Sequence, residues 1–92
     1  MALLSDEQIA TGLEGREWRH EGAALVRERR FADFSAAIAF VERVAEVAEA
    51  SNHHPDILVH GWNKVRLTLS THSEGGITAA DLALAERLDA VG

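Results

Sequence analysis

The clearest pattern of apolar and polar positions along the chain is a helical one near its middle. Apolar side chains recur there at steps of three and four residues and predict one continuous buried stripe, formed by Phe34, Ile38, Val41, Val44, Ala45 and Ala48. Asp33 or Ser35 can cap the start of this helix. The helix must end before Pro55, because proline disfavours helical geometry in the preceding residue, and Asn52 suits a left-handed C-terminal position.

Alternation of apolar and polar residues predicts strands on both sides of this helix. After it, residues 57–60 alternate and residues 61–63 reverse the chain. Residues 64–70 then form a strand with one buried set of side chains, Val65, Leu67 and Leu69. Before the helix, residues 18–20 and 23–26 form a hairpin with Gly22 in the turn.

A short helix is predicted at each end of the chain. Ser5 and Gln8 have the spacing of a capping box for a helix from about residue 6 to 13. Thr78 and Asp81 have the same spacing for the last helix, whose buried edge is formed by Leu82, Ala85 and Leu88. The order α-β-β-α-β-β-α predicts an α+β fold, with helices on one face of a four-stranded antiparallel sheet.

The size and charge of the chain narrow the classes of function. With 92 residues we expect a single domain over residues 1–92, and aromatic residues make up only 5%, so the core must be mostly aliphatic. Such a small core favours a homo-oligomer that shares apolar surface. The net charge of −6 argues against a nucleic-acid partner.

Cysteine usage and the N-terminal segment bear on the compartment. The chain has no cysteine, which excludes disulfide bonds and thiolate metal ligands and suits a reducing cytosol. The first ten residues lack the basic region and the long apolar run of a signal peptide or membrane span. We therefore expect a cytoplasmic protein without membrane contact.

Three of the five histidines stand at the ends of predicted elements. His53 and His54 lie between the long helix and the next strand. His72 follows the last strand and, by alternation, faces away from the helices. Histidine exchanges protons near neutral pH, so such a group with carboxylates nearby suits an elimination. One ring would protonate a departing hydroxyl while another accepts a proton from a neighbouring nitrogen. No Ser, Cys or Lys nucleophile stands beside a base, so covalent catalysis has no support.

Each candidate also has a structural explanation. An imidazole at a helix C-terminus is favourable by itself, the capping box accounts for Asp81, and Glu49 could be a solvated helix residue. Trp62 could be a core residue or a ring that stacks on a ligand. Zinc is a further alternative, since three imidazoles could bind it. No HxxxH or HxH spacing supports zinc, and adjacent histidines point in different directions.

Several short motifs in the second half of the chain resemble those of the pterin-4a-carbinolamine dehydratases. The resemblance extends from about residue 18 to 88 and rests on Glu49, His53-His54-Pro55-Asp56, Asn63-Lys64-Val65, Leu69-Ser70-Thr71-His72 and Gly76-Ile77-Thr78 with Asp81. Two departures concern packing. Ile57-Leu58 follow the Pro-Asp step, where the family commonly has an aromatic residue. The second departure is Arg29, two positions before Phe31, where an aromatic residue is also common.

The resemblance implies a dimer or tetramer that dehydrates 4a-hydroxytetrahydropterin to quinonoid dihydropterin, recycling the cofactor of aromatic amino acid hydroxylases. It implies that His53, His54 and His72 are the active-site histidines. Glu49 and Asp81 would support them, with Asp81 orienting His72. The candidates for binding the substrate are Pro55, Asp56, Ser70, Thr71 and Trp62. Because the pterin is the substrate, neither a metal nor a cofactor is expected.

Two other functions fit the same residues. A non-catalytic dimerisation or interaction module could keep the fold, although it would not need all three histidines. A dehydratase in another pterin pathway, such as molybdenum-cofactor metabolism, would have the same site, so the sequence does not separate it from the first function.

Overall fold

The computed structural model describes residues 2–91 of the chain. Its regular elements are, in order, helix α1 (Asp6–Gly12), strands β1 (Arg19–Glu21) and β2 (Ala24–Arg30), helix α2 (Phe34–Ser51), strands β3 (Asp56–His60) and β4 (Lys64–Leu69), a short 3-10 helix (His72–Glu74) and helix α3 (Ala79–Asp89). The predicted α+β fold and its order, α-β-β-α-β-β-α, are confirmed.

The four strands form one antiparallel sheet in the order β1-β2-β4-β3. Gly22 lies in the turn of the predicted hairpin with φ 58°, a backbone conformation that favours glycine. The register pairs Leu25 with Leu69 across β2 and β4, and Ile57 with Leu67 across β3 and β4. Because side chains alternate along a strand, these four lie on the same face of the sheet.

The hydrophobic core lies between that face and the helices. It contains the predicted strand residues Val65, Leu67 and Leu69 together with side chains from all three helices. Its largest fully buried members from the helices are Phe40, Leu84 and Leu88. Burying each of these large side chains contributes about 1.5–3 kcal/mol to the stability of the fold, so a small number of residues supplies much of the hydrophobic stabilisation.

The buried face of α2 is rotated from the predicted one. Its buried residues are Ala37, Phe40, Val44 and Ala48. Of the predicted stripe, Phe34 is 54% exposed and Ala45 also faces solvent. The helix has more apolar residues than one face needs, so two neighbouring stripes satisfy the helical spacing. Phe40 lies on the observed stripe, where its ring packs against Phe31 with centroids 5.0 Å apart.

The buried edge of α3 is also shifted. Leu84, Ala85 and Leu88 are buried, whereas Leu82 is only partly buried at the edge of the core. Leu82 packs over Gly12 of α1, where an added Cβ would lie 2.5 Å from a Leu82 methyl group. A larger residue at this position would therefore force the Leu82 side chain to move.

Strand β2 continues past the predicted segment 23–26 through two arginines on its helix-facing side. Arg27 is only 11% exposed, and its guanidinium donates to the carboxylate of Asp89 in α3. The Arg29 guanidinium lies 5.0 Å from the centroid of the Phe40 ring. Their aliphatic stems cover the core while their charged ends contact a carboxylate or an aromatic face. The apolar pattern of the sequence therefore ends before the strand does.

The predicted helix caps are confirmed. The Asp33 side chain accepts a hydrogen bond from the backbone of Ala36 at the start of α2, and Asn52 ends that helix with φ 51°. Both predicted capping boxes are present: Ser5 with Gln8, and Thr78 with Asp81. Within residues 2–91, no helix has the length and apolar character needed to cross a membrane.

Candidate active site

The C-terminal ends of α2 and β4 meet the N-terminal end of α3 at one end of the sheet. The residue that joins them is Asp81 in the first turn of α3, whose side chain is fully buried. His53 follows the left-handed residue Asn52, and Thr71 lies just beyond the end of β4. The fold thus brings side chains from three separate segments to one carboxylate.

Asp81 uses both of its carboxylate oxygens. Oδ1 lies 2.6 Å from Nε2 of His53. Oδ2 accepts hydrogen bonds from the Thr71 hydroxyl at 2.8 Å and from the backbone N–H of Thr78 at 2.9 Å. A carboxylate is an acceptor only, so all three partners must be donors. Nε2 of His53 therefore carries its proton toward Asp81, and Nδ1 of the neutral ring is the basic nitrogen.

The His53 ring is placed for proton exchange. Its side chain is 20% exposed, whereas Asp81 behind it is not exposed at all. The carboxylate fixes the tautomer and orientation of the imidazole, as a buried acid does in other histidine-based sites. The ring nitrogen that does not contact Asp81 is Nδ1. This arrangement suits general acid–base chemistry.

His54 forms a separate pair with Glu49. Its Nε2 lies 3.0 Å from Glu49 Oε2, and the two side chains are 56% and 77% exposed. An exposed pair of this kind contributes about 0–1 kcal/mol to stability. The prediction that adjacent histidines point in different directions is confirmed, because His53 and His54 contact different carboxylates.

His72 is exposed at the start of the 3-10 helix. The contact between Asp81 and His72 that the prediction implies is absent from residues 2–91, where Asp81 contacts His53, Thr71 and Thr78. Among residues 2–91 the His72 ring has no hydrogen-bond partner. The alternation of β4 does not continue to His72, because the strand ends at Leu69 and a 3-10 turn begins at His72.

The remaining candidates fall into two groups. Pro55 and Asp56 lie beside His53, at the start of β3, and Asp56 pairs with Thr68 near the end of β4. The Ser70 hydroxyl donates to the backbone carbonyl of Ala23 at 2.8 Å, so it joins β4 to the hairpin turn.

Trp62 lies at the opposite end of the sheet from the other candidates. It precedes β4, whereas Thr71 follows it, and six strand residues span about 20 Å. Within a single chain Trp62 is therefore distant from Thr71, and its assignment as a substrate-binding residue stays a prediction. Trp62 is 61% exposed and has φ 57° in the β3–β4 turn.

Thr78 is the site residue that sequence reasoning missed. It was assigned only to the capping box, but its hydroxyl lies 2.8 Å from that of Thr71, and the residue is fully buried. The capping box itself was the available signal. It requires Thr78 and Asp81 to contact each other, so any role of Asp81 in a site brings Thr78 with it.

A third histidine–carboxylate pair lies outside this site, on the helix-free face of the sheet. His60 Nε2 lies 2.6 Å from Glu28 Oε1, and Arg66 lies 3.5 Å from the same oxygen. The hydrogen bond from His60, with the charge of Arg66, holds the pKa of Glu28 below its ordinary value, although burial acts in the opposite direction. Among the described residues, no three His, Cys, Asp or Glu side chains are grouped to hold a metal ion.

The fold and site define a class of small α+β proteins in which a buried aspartate fixes a histidine at the end of an antiparallel sheet. Within that class, the chain belongs to the pterin 4 alpha carbinolamine dehydratase family, whose sequence model matches residues 2–91. A relative from Nocardia farcinica, named "Putative pterin-4-alpha-carbinolamine dehydratase", is 51% identical over 88 residues. The match covers 95% of this chain and 92% of the relative.

Two solved structures are similar to this chain. The crystal structure of a transcriptional coactivator/pterin dehydratase from Brucella melitensis has a TM-score of 0.89 at 32% identity, covering 98% of each chain. A pterin dehydratase-like protein, described as a RuBisCO assembly factor in the alpha-carboxysome, has a TM-score of 0.70 at 28% identity. That match covers 84% of this chain and 90% of the other.

Proposed function

We propose that this protein dehydrates 4a-hydroxytetrahydropterin to quinonoid dihydropterin and water in the cytoplasm, without a metal or a further cofactor. The observation that carries the proposal is the His53–Asp81 contact of 2.6 Å, which gives one imidazole a fixed tautomer beside a fully buried carboxylate. The family supplies the substrate class, since the sequence model that matches residues 2–91 is that of the pterin carbinolamine dehydratases.

The chemistry needs one proton donor and one proton acceptor. The C4a–O bond breaks as a donor protonates the departing hydroxyl, and an acceptor removes a proton from a neighbouring ring nitrogen. The two protons balance, and water leaves. His53 takes one of these roles through Nδ1, and the exposed rings of His72 and His54 are the candidates for the other. Pro55 and Asp56, which follow directly along the chain, are proposed to border the pterin.

The proposed product indicates the metabolic role of the reaction. Quinonoid dihydropterin is the form from which a reductase can restore a tetrahydropterin, so the enzyme would return the cofactor of aromatic amino acid hydroxylases to use. A dehydratase in another pterin pathway would prefer a different pterin side chain. Comparing kcat/KM for carbinolamines with different side chains separates the two roles.

We also propose that the protein is a homodimer or homotetramer. Large apolar side chains are exposed in the single chain, namely Leu3, Phe34, Ile57, Leu58 and Trp62. Apolar surface of this kind is buried in the interfaces of oligomers. Light scattering coupled to gel filtration measures the mass, and a monomeric mass at micromolar concentration would contradict this part of the proposal.

The test of function is a direct assay of carbinolamine dehydration. Wild-type protein should accelerate the reaction, and His53→Ala and His72→Ala should each lower kcat by about 100-fold or more, the usual contribution of a general acid or base. His20→Ala is the matched control, because this exposed histidine lies in β1. Equal rates for wild type and His53→Ala would refute the proposed role of the histidine.

A non-catalytic interaction module is the second candidate. The similarity to the pterin dehydratase-like protein favours it, because that protein is described as a RuBisCO assembly factor. A correctly folded wild-type protein that leaves the uncatalysed rate unchanged would support this second candidate over the first.

A further inference from the structure

We infer that Thr71 and Thr78 are positioning residues for the His53–Asp81 pair. Their hydroxyl groups form a directed hydrogen-bond chain that holds Asp81 with Oδ1 facing His53. The catalytic consequence of this chain rests on the proposed dehydratase function. Its effect on the His53 ring can be measured without any turnover.

The direction of the chain follows from counting protons. Thr71 Oγ1 donates to Asp81 Oδ2 at 2.8 Å, and a hydroxyl has only one proton to donate. Thr71 must therefore accept in its 2.8 Å contact with Thr78 Oγ1. The Thr78 hydroxyl donates to Thr71 and accepts from the backbone N–H of Ala80 at 3.3 Å. The hydroxyl protons of Thr78 and Thr71 thus both point along the chain toward the carboxylate of Asp81.

The chain controls how the carboxylate is rotated. A capping box needs only one hydrogen bond to the aspartate, here from the Thr78 backbone N–H at 2.9 Å. With that bond alone on Oδ2, the orientation of the carboxylate would depend on its contact with the partly exposed His53 ring. The second bond to Oδ2, from Thr71, fixes the plane of the carboxylate and aims Oδ1 at His53 Nε2. Thr71 therefore acts on His53 through Asp81.

Burial makes the Thr78 hydroxyl hard to replace. Thr78 and Asp81 are both fully buried, so solvent does not compete for their hydrogen bonds. If the Thr71 hydroxyl is removed, Asp81 Oδ2 loses a donor and the buried Thr78 hydroxyl loses its acceptor. The carboxylate is then expected to rotate or to weaken its bond to His53.

The test compares Thr71→Val, which removes the hydroxyl and keeps the branched shape, with Thr71→Ser, which keeps the hydroxyl. Thr68→Val is the matched control, since the same substitution is made in β4 away from Asp81. The first readout is NMR of the free protein with 15N-labelled histidine. We expect a protected Nε2–H resonance of His53 in wild type, Thr71→Ser and Thr68→Val. In Thr71→Val it should move upfield or disappear through exchange with water.

The second readout is steady-state dehydration. Thr71→Val should lower kcat by about tenfold with little change in KM, the lower end of the 10–100-fold cost of removing a residue that orients a metal-bound histidine. Thr71→Ser should recover most of that loss, which a general defect in folding would not predict. If Thr71→Val does not fold, Thr71→Ala removes the same hydroxyl without placing a methyl group against the carboxylate.

The inference is overturned if the His53 ring spectrum is the same in wild type and in the folded hydroxyl-free variant. A fall in kcat with an unchanged ring spectrum would also overturn it, because Thr71 would then act by another route. If wild type lacks dehydratase activity, the proposed function fails, but the ring spectra still decide the positioning role.

Discussion

Asp81 serves the helix and the site with different oxygens. Oδ2 completes the capping box of α3, and Oδ1 contacts His53. The capping box and the contact with His53 therefore occur together at this residue, although the sequence presents the structural and the functional explanations as alternatives. A substitution of Asp81 that tests the proposed function has to separate its effect on stability from its effect on the His53 ring.

Asp81→Asn makes that separation. The amide oxygen can take the place of Oδ2 and accept from Thr71 and Thr78, which leaves the amide NH2 facing His53. Nε2 of His53 would then have to accept, so the ring would carry its proton on Nδ1. We expect kcat to fall by about 100-fold or more through the wrong tautomer. The free energy of unfolding should fall by only about 1 kcal/mol. Urea denaturation and the dehydration assay measure the two quantities.

Asp89→Asn is the control for this substitution. Asp89 is another carboxylate with side-chain donors, from Trp18 and two arginines, and it lies at the C-terminal end of α3. The Asp89→Asn protein should lose stability but keep the kcat of wild type. An Asp81→Asn protein with the kcat of wild type would contradict the role assigned to the His53 tautomer.

At the residue scale, the sequence identifies the chemical groups but not their partners. The motif around His53 and His54 places two imidazoles at the end of α2, and the capping box places Asp81 at the start of α3. Neither pattern shows that Asp81 contacts His53 and not His72. That choice depends on where β4 ends and on the 3-10 turn after it, which the alternating pattern does not reveal.

At the element scale, α2 shows the limit of hydrophobic periodicity. The extent of the helix and both of its end residues could be predicted, because Asp33, Asn52 and Pro55 have strong local preferences. Its rotation could not, since the helix has apolar residues beyond those that the core accepts. Packing against Phe31 and the sheet selects the face that carries Phe40.

Two phenylalanines of α2 test the observed rotation. Phe40 is fully buried, so Phe40→Ala should lower the free energy of unfolding by about 3–5 kcal/mol. Phe34 is 54% exposed, so Phe34→Ala should lower it by less than about 1 kcal/mol within one chain. Urea denaturation at equal, low protein concentration compares them. The reverse order of the two losses would contradict the observed orientation of the helix.

Strand β2 shows a different limit. Its second half contains mostly charged residues, which is why the sequence pattern indicates an earlier end. Arg27 and Arg29 nevertheless face the core, where one meets Asp89 and the other lies over the Phe40 ring. Such contacts join residues far apart in the chain, so no local pattern predicts them.

At the scale of the whole molecule, a charged cluster links three strands on the helix-free face. Glu28 in β2 contacts His60 in β3 and Arg66 in β4, so the cluster spans the central strand β4. The pKa of Glu28 is lowered first by the His60 hydrogen bond and then by the charge of Arg66. The stability that this cluster contributes therefore depends on pH. A carboxyl whose pKa is lowered by folding stabilises the fold when it is ionised.

The sign of the pH effect follows from that shift. The contribution of Glu28 is fully present above the ordinary pKa of 4.5 and is lost as the pH falls through the lower value of the folded state. The difference in unfolding free energy between wild type and Glu28→Gln should therefore be largest near neutral pH and shrink below pH 4.5. Glu46→Gln, on the exposed side of α2, controls for the loss of one charge. A difference that stays constant with pH would contradict this account.

The central claim is that His53, His54 and His72 surround one pterin site although they come from two distant segments. The most direct measurement is to follow the ring resonances of all five histidines by NMR while a dihydropterin without the 4a-hydroxyl is added. The account predicts that those of His53, His54 and His72 shift along one saturation curve, while His20 and His60 do not move. Binding that leaves the resonances of His53 and His72 unchanged would contradict it.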